Sequence, residues 1–432
     1  VTTTHTLTAL ATAARREEAL LAALPPRPDR GAAQQRDLDD ATAEARRLRT
    51  ALMAGHAEQV YDELTEGGTV RHRLTPLVHR AAERFPGLVP GRDRMAAEER
   101  RAQRDKDGLE IDQAIFVHGV LAAPRCGGHL LDTMRLPTPA ALALLEEFRR
   151  TGRADLGPVV LERRPPACHL TMTDPATLNA ETNELVAAME TAVDLALLDP
   201  EVRVGVLRGG AVSHRRYAGR RVFSSGINLV HLHQGRISYL DFLIGRELGL
   251  VNKLLRGLYV PGAVSPARDV AQKPWIGAVD TFAIGGGMQL LFVMDRVIAA
   301  HDASFSLPAA REGIVPGAGN LRLPRFVGNR IARQVVLTGR AIRADEPAAR
   351  LICDDVVEPG AVDAAVETAV EELAAPAVAA NRAMLTAAEE PPDVFRAYMA
   401  EFALHQGARL YAPDVLDKVS AFSAARPGQE VR

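Results

Sequence analysis

Three glycines followed by an amide two positions on, Gly285-Gly286-Gly287-Met288-Gln289, form the stretch best suited to chemistry. An apolar, partly β-branched run, Trp275-Ile276-Gly277-Ala278-Val279, precedes it, and an apolar helical run follows. Glycines at a strand-to-helix junction let a backbone approach a ligand with no Cβ in the way. The helix beyond them turns free N–H groups and partial positive charge toward that point, which suits a negative oxygen. A second glycine loop, Phe223-Ser224-Ser225-Gly226-Ile227-Asn228-Leu229, lies upstream. A third stretch, Ser306-Leu307-Pro308-Ala309 and then Gly313-Ile314-Val315-Pro316-Gly317-Ala318-Gly319, lies downstream.

Other side chains stand apart from these loops. Arg246 falls in a helical run, 239–256, with Leu243 and Leu250 on its face. Glu181 directly follows Leu178-Asn179-Ala180. His214, Arg215, Arg216 and Tyr217 form a basic loop, which reads either as an anion site or as a solvated charge run. His231-Leu232-His233 has no obvious third ligand, and His72 and His79 read as packing or surface histidines, so no metal site is expected. The sequence carries no Walker lysine motif and no GxGxxG after a strand.

These residues need a scaffold of alternating elements. Strand-like runs at 159–161, 169–172, 202–207, 275–279, 296–300 and 304–307 alternate with helical runs at 180–197, 239–256, 288–294 and 330–338. That alternation predicts an α/β domain with crossover connections over 157–360. Residues 1–156 read as a helical N-terminal domain: Leu38, Ala41, Ala45, Leu48 and Leu52 recur at helical spacing. Thr138, Pro139 and Gly152 bracket one further helix as cap, first turn and stop. Residues 361–432 return to Ala-rich helix. Lys and Arg number 52 against 54 Asp and Glu, so nothing favours nucleic acid or an acidic membrane surface. Three scattered cysteines, no spanning apolar run and no signal-like start predict a soluble cytoplasmic protein.

Taken together in order, the 223–229 loop, the triple glycine and Val315-Pro316-Gly317-Ala318-Gly319 resemble the crotonase (enoyl-CoA hydratase/isomerase) superfamily over about 160–360. The resemblance implies a ββα spiral core that binds an acyl-CoA, extended here by helices on both sides. It also implies an oxyanion hole for the thioester oxygen, made by the N–H groups of Ile227 and Gly286, with Ser225, Gly226, Asn228 and Gly287 lining the same loops. Two N–H donors aimed at one oxygen stabilise an enolate in a dry site, and losing one typically costs about 3 kcal/mol of barrier. His214, Arg215, Arg216 and Tyr217 become the candidates for coenzyme A phosphates. Trimers or pairs of trimers are the assembly the family implies.

The chain departs from the hydratases of that family at both glutamates they use for water addition. The position two after the triple glycine is Gln289, and the position after Pro308 is Ala309. Neither an amide nor a methyl group acts as a carboxylate base near neutral pH. An enolate should form here and meet a fate other than hydration. The long N-terminal extension, Gln289 and the run Phe242-Leu243-Ile244-Gly245-Arg246-Glu247-Leu248-Gly249 resemble the small crotonase branch that oxygenates 3,5-dihydroxyphenylacetyl-CoA in glycopeptide antibiotic biosynthesis. That branch implies O2 as co-substrate, no metal, flavin or other redox cofactor, and 3,5-dihydroxyphenylglyoxylate and coenzyme A as products. Arg246 would then bond a ring phenol, or else form a structural ion pair. Glu181 would bond the second phenol or assist proton transfer, or else serve as a first-turn carboxylate. Gln289 would hold a ring hydroxyl or the peroxide, or simply pack. The alternatives are another crotonase-type isomerase or thioesterase, and a non-catalytic acyl-CoA-binding protein.

Overall fold

The computed structural model describes residues 3–260 and 270–424. The chain separates into two compact units, one drawn from Val1–Met134, Leu229–Leu243 and Pro392–Arg432, the other from Arg135–Asn228 and Ile244–Pro391. This division differs from three consecutive segments split at 156 and 360. The helix Pro139–Thr151 packs on Asn183–Leu198 and so joins the second unit, while Pro392–Arg409 packs on Leu109–Ala122 in the first. Among the described residues no helix is long and apolar enough to cross a membrane.

The first unit is helical. Its longest helix, Ala32–Thr65, buries Leu38, Ala41, Ala45 and Leu52 as their spacing predicts. Leu48 is only half-buried, and Arg49 takes the core position instead. A buried guanidinium must be paired, and Arg49 meets Glu17 at 2.9 Å and Asp112 at 3.1 Å while its Nε donates to the Gly87 carbonyl.

The second unit is built on a seven-stranded sheet. Its strands run in the order Arg153–Asp155, Val159–Arg164, Ala167–Met172, Val204–Gly209, Trp275–Val279, Arg296–Ala300 and Asp355–Val357. The first three are joined antiparallel, as tight connections allow; the rest pair in parallel, through the crossovers the alternating pattern predicts. Trp275–Val279 is buried at every position, which explains its unbroken apolar sequence. A second sheet pairs Phe282–Ile284 in parallel with Ser304–Ser306, which pairs antiparallel with Ile342–Arg343. The predicted cap is in place: Thr138 Oγ1 accepts from the Ala141 N–H at 3.2 Å, and Gly152 ends the helix at φ 70°.

Candidate active site

Two short connections on the second unit make the site. After Phe282–Ile284 the chain turns at Gly285 (φ 55°) into the helix Gly286–Leu291, and the Gly285 N–H is held by the Ser306 carbonyl at 2.8 Å. The loop 223–228 runs beside it. Gly226 adopts φ 82°, and a Cβ there would come within 2.9 Å of the Ile284 carbonyl oxygen. Gly226 is required because a Cβ would press on the Ile284 carbonyl, and Gly285 because its backbone, at φ 55° and ψ −119°, is one that a side chain strains. The loop is fixed from below by Ser224, whose hydroxyl donates to the Asn179 carbonyl at 2.8 Å and accepts from the Gly226 N–H at 3.1 Å. Ile284 N–H donates to the Ser224 carbonyl, so the two connections are stitched together. Among the described residues the N–H groups of Ile227 and Gly286 meet no protein acceptor. Two open donors on neighbouring loops are the arrangement that stabilises a developing oxyanion.

Glu181 joins this backbone to a buried charge. Its N–H donates to the Gly226 carbonyl and its carbonyl accepts from Asn228 N–H, a bridge that places Ile227. Its carboxylate, 1% exposed with the rest of the residue, lies against Gly286: a Cβ there would collide with Oε2. Oε1 accepts from Arg246 Nη2 at 2.8 Å. The same Nη2 donates to the Gly286 carbonyl at 2.9 Å, and Nη1 donates to Glu247 at 2.6 Å. Burial disfavours the charge on Arg246, but Glu181 and then Glu247 outweigh it and hold the guanidinium charged above its ordinary value. Arg246 stands between two π-helical stretches, Tyr239–Ile244 and Glu247–Val251. Such widened turns are uncommon and recur at functional sites.

Gln289 lies one turn into the helix that Gly286 opens. It is 9% exposed, and its Oε1 is buried without a hydrogen-bond partner among the described residues; Arg246 Nε is likewise. The Gln289 Oε1 and Glu247 Oε1 atoms both approach the point where a Cβ on Gly317 (φ 44°) would sit. The site therefore gathers an orphan donor, an orphan acceptor and two open N–H groups, a set able to bind a hydroxylated ring beside a thioester.

The comparisons with known proteins agree. A family model for enoyl-CoA hydratase/isomerase matches residues 264–405. The (3,5-dihydroxyphenyl)acetyl-CoA 1,2-dioxygenase of Amycolatopsis orientalis is 55% identical over 416 residues, covering 96% of this chain and 95% of that protein. The chain belongs to the crotonase superfamily. A carnitinyl-CoA dehydratase of Salmonella paratyphi A is 31% identical over 276 residues, 62% of this chain and 95% of that one. The solved structure of Pseudomonas aeruginosa OdaA superposes with a TM-score of 0.51 at 25% identity, over 62% of this chain and 98% of that one. The crotonase fold anticipated from the loop motifs is thus the fold of the core, with helical regions before and after it.

Within this crotonase core the structure brings Glu181, Gly226, Ile227, Asn228, Arg246, Gly286, Gly287 and Gln289 together. Glu181 is not a first-turn residue: Thr182 is the cap, accepting from Leu185 N–H, and the helix starts at Asn183. Ser225 turns its hydroxyl to the Thr177 carbonyl at 3.1 Å, where it shapes the loop. His214 to Tyr217 form a surface loop anchored by Tyr217, whose ring meets Phe282 edge-on at 5.2 Å. The Arg216 guanidinium lies 5.4 Å from the Tyr217 ring centroid, and among the described residues neither Arg215 nor Arg216 pairs with a carboxylate. His231 lies on the short helix Leu229–His233, and among the described residues no three His, Cys, Asp or Glu side chains are grouped to hold a metal ion. Sequence reasoning missed Ser224, which holds the 223–228 loop, and Glu247, which pairs with Arg246. Glu247 is next to Arg246 in a run already singled out, and its neighbour's charge was the available signal.

Proposed function

We propose that this protein is a dioxygenase converting 3,5-dihydroxyphenylacetyl-CoA and O2 to 3,5-dihydroxyphenylglyoxylate and coenzyme A. The observation that carries this reading is the 55% identity to the Amycolatopsis enzyme along 96% of the chain, including helical segments that the shorter relatives lack. The site fits the chemistry. An arylacetyl thioester loses its α-proton readily, because the enolate spreads into the ring and the thioester. The open N–H groups of Ile227 and Gly286 receive the enolate oxygen. Arg246 and Gln289, each with an unused buried polar atom, receive the ring hydroxyls. Arg215 and Arg216 are suited to the phosphates of coenzyme A.

The electron-rich enolate passes one electron to O2, and the radical pair recombines as a peroxide at the α-carbon. The terminal peroxide oxygen attacks the thioester carbonyl and expels the coenzyme A thiolate. Loss of the second α-proton with O–O cleavage leaves the keto acid. The substrate supplies both electron pairs, so the reaction requires no redox cofactor from the protein. The oxyanion hole, orientation and a water-poor pocket are the protein's part. The same reading places the protein in glycopeptide antibiotic biosynthesis and in an oligomer, a trimer or pair of trimers, for which Phe326 and Leu337 offer exposed apolar side chains on Gly319–Thr338.

The test is an oxygen-electrode assay on chelator-treated protein. Uptake of one O2 per coenzyme A released supports the proposal. Thioester loss without uptake would point to a thioesterase, and binding without turnover to a carrier.

A further inference from the structure

Behind Arg246 and its partner Glu181 lie further buried charges, none of which takes part in the steps proposed above. Arg246 Nη1 donates to Glu247 Oε1 at 2.6 Å. Glu247 Oε2 accepts from the Ala318 N–H at 3.2 Å, at the start of Gly319–Thr338, and faces Arg322 Nη1 at 4.0 Å. Arg322 turns its other edge to Glu390, with Nε and Nη2 each donating to one carboxylate oxygen at 3.0 Å. Arg256 and Arg325 complete the grip on Glu390. Glu181, Arg246, Glu247, Arg322 and Glu390 are each no more than 3% exposed. They form a continuous buried row of alternating charge that starts at the oxyanion loop.

We propose that Glu247 and Arg322 are positioning residues that set substrate specificity through Arg246, holding its guanidinium so that its unused N–H is offered to the ring hydroxyl of the substrate. This rests on the dioxygenase reading of the same site. Arg246 has two carboxylate partners on different nitrogens, so its plane is decided by the balance between them. Glu247 is itself fixed by the Ala318 N–H and by the Arg322 charge, and Arg322 is fixed by a two-pronged contact with Glu390. A planar fork gripped on one edge keeps its remaining nitrogen in a defined place. Without Arg322, Glu247 carries more uncompensated negative charge and draws Arg246 away from Glu181 and the Gly286 carbonyl. The N–H that should meet the ring then points elsewhere, although neither Glu247 nor Arg322 touches substrate.

The experiment compares wild type, Arg322→Lys, Arg322→Met, Glu247→Gln and the Glu247→Gln/Arg322→Met double variant. Oxygen uptake gives kcat and KM for 3,5-dihydroxyphenylacetyl-CoA and for phenylacetyl-CoA. Arg322→Met should lower the preference for the hydroxylated thioester about tenfold, the scale of one charge-assisted hydrogen bond, mainly through KM. Arg322→Lys should keep most of the preference, and the double variant should be no worse than Glu247→Gln alone. Equal losses on both thioesters, or losses that multiply in the double variant, would overturn the proposal. Should Arg322→Met not fold, Glu247→Gln carries the same test: its loss must fall on the hydroxylated thioester. If wild type consumes no O2 with either thioester, it is the dioxygenase reading that fails. The ratio of Kd values by calorimetry then still reads the positioning, and an unchanged ratio across the variants refutes it.

Discussion

Replacing Gln289 by glutamate tests how the site decides the fate of the enolate. Gln289 Oε1 is buried and unpartnered among the described residues. It and Glu247 Oε1 both lie within 2.6 Å of the point where a Cβ on Gly317 would sit. Two oxygens so placed are within roughly 5 Å of each other, where like unit charges repel by about 3 kcal/mol at an effective dielectric near 20. Burial and the Glu247 carboxylate both push such a carboxyl above its ordinary range, against the pull of Arg246, itself paired with Glu247. The Gln289→Glu carboxyl should therefore keep its proton to higher pH than a free glutamate. A protonated acid beside a carbanion returns a proton to it. Oxygen uptake should fall about tenfold or more, while exchange of the α-protons with solvent deuterium should rise per enolate formed. The shift toward exchange should weaken as pH rises through the raised pKa, because the acid form is lost. The assay follows uptake by electrode and deuterium by mass spectrometry between pH 5.5 and 8.5. A variant that oxygenates at the wild-type rate with unchanged exchange would refute the reasoning.

Three further outcomes follow from the geometry. Arg246→Leu removes the buried cation from between Glu181 and Glu247, and should weaken binding of the dihydroxylated thioester more than of phenylacetyl-CoA, read as separate Kd values; equal weakening would make Arg246 purely structural. Gly317→Ala places a methyl against Glu247 Oε1 and Gln289 Oε1 at a φ of 44°, and should cost about 1–3 kcal/mol in denaturant unfolding; an unchanged midpoint would contradict the close approach. Glu312 is half-buried, and burial pushes its carboxyl up to about 7. Its folded pKa is raised, so ionising it costs stability progressively as pH rises from about 4.5 through 7. Glu312→Gln should raise the melting temperature by roughly 2–4 °C at pH 8 and leave it unchanged at pH 4.5; an equal shift at both would rule out a charge effect.

Much of the site could be read from the sequence because its central parts are backbone. Ile227 and Gly286 are specified by glycines beside them, and those glycines are contiguous motifs. The loss of carboxylates at Gln289 and Ala309 was equally visible. The pairing of Glu247 with the charges beyond it was not. Glu247, Arg322 and Glu390 lie far apart along the chain and meet only through folding. The spacing around Arg246 predicts a regular helix, whereas π-helical stretches before and after it alter which side chains share its face. The run expected to be helical from 330 begins at Gly319, with Pro324 in its early turns and a break at Gly328 (φ 71°), residues that mask helical periodicity. The burial of Arg49 in place of Leu48 has the same origin: periodicity gives a face, but only the partners on other helices decide which residue fills it.

An enolate held at Ile227 and Gly286 should react directly with O2, and labelled oxygen follows that step atom by atom. The peroxide sequence keeps both oxygen atoms: one becomes the keto oxygen, the other enters the carboxylate as coenzyme A leaves. Single turnover under 18O2 in unlabelled water, with chelator-treated protein and quenched before the keto group exchanges with solvent, should give arylglyoxylate carrying two heavy oxygens from one O2 molecule. Product with one label or none, or coenzyme A released with no O2 consumed, would contradict the account.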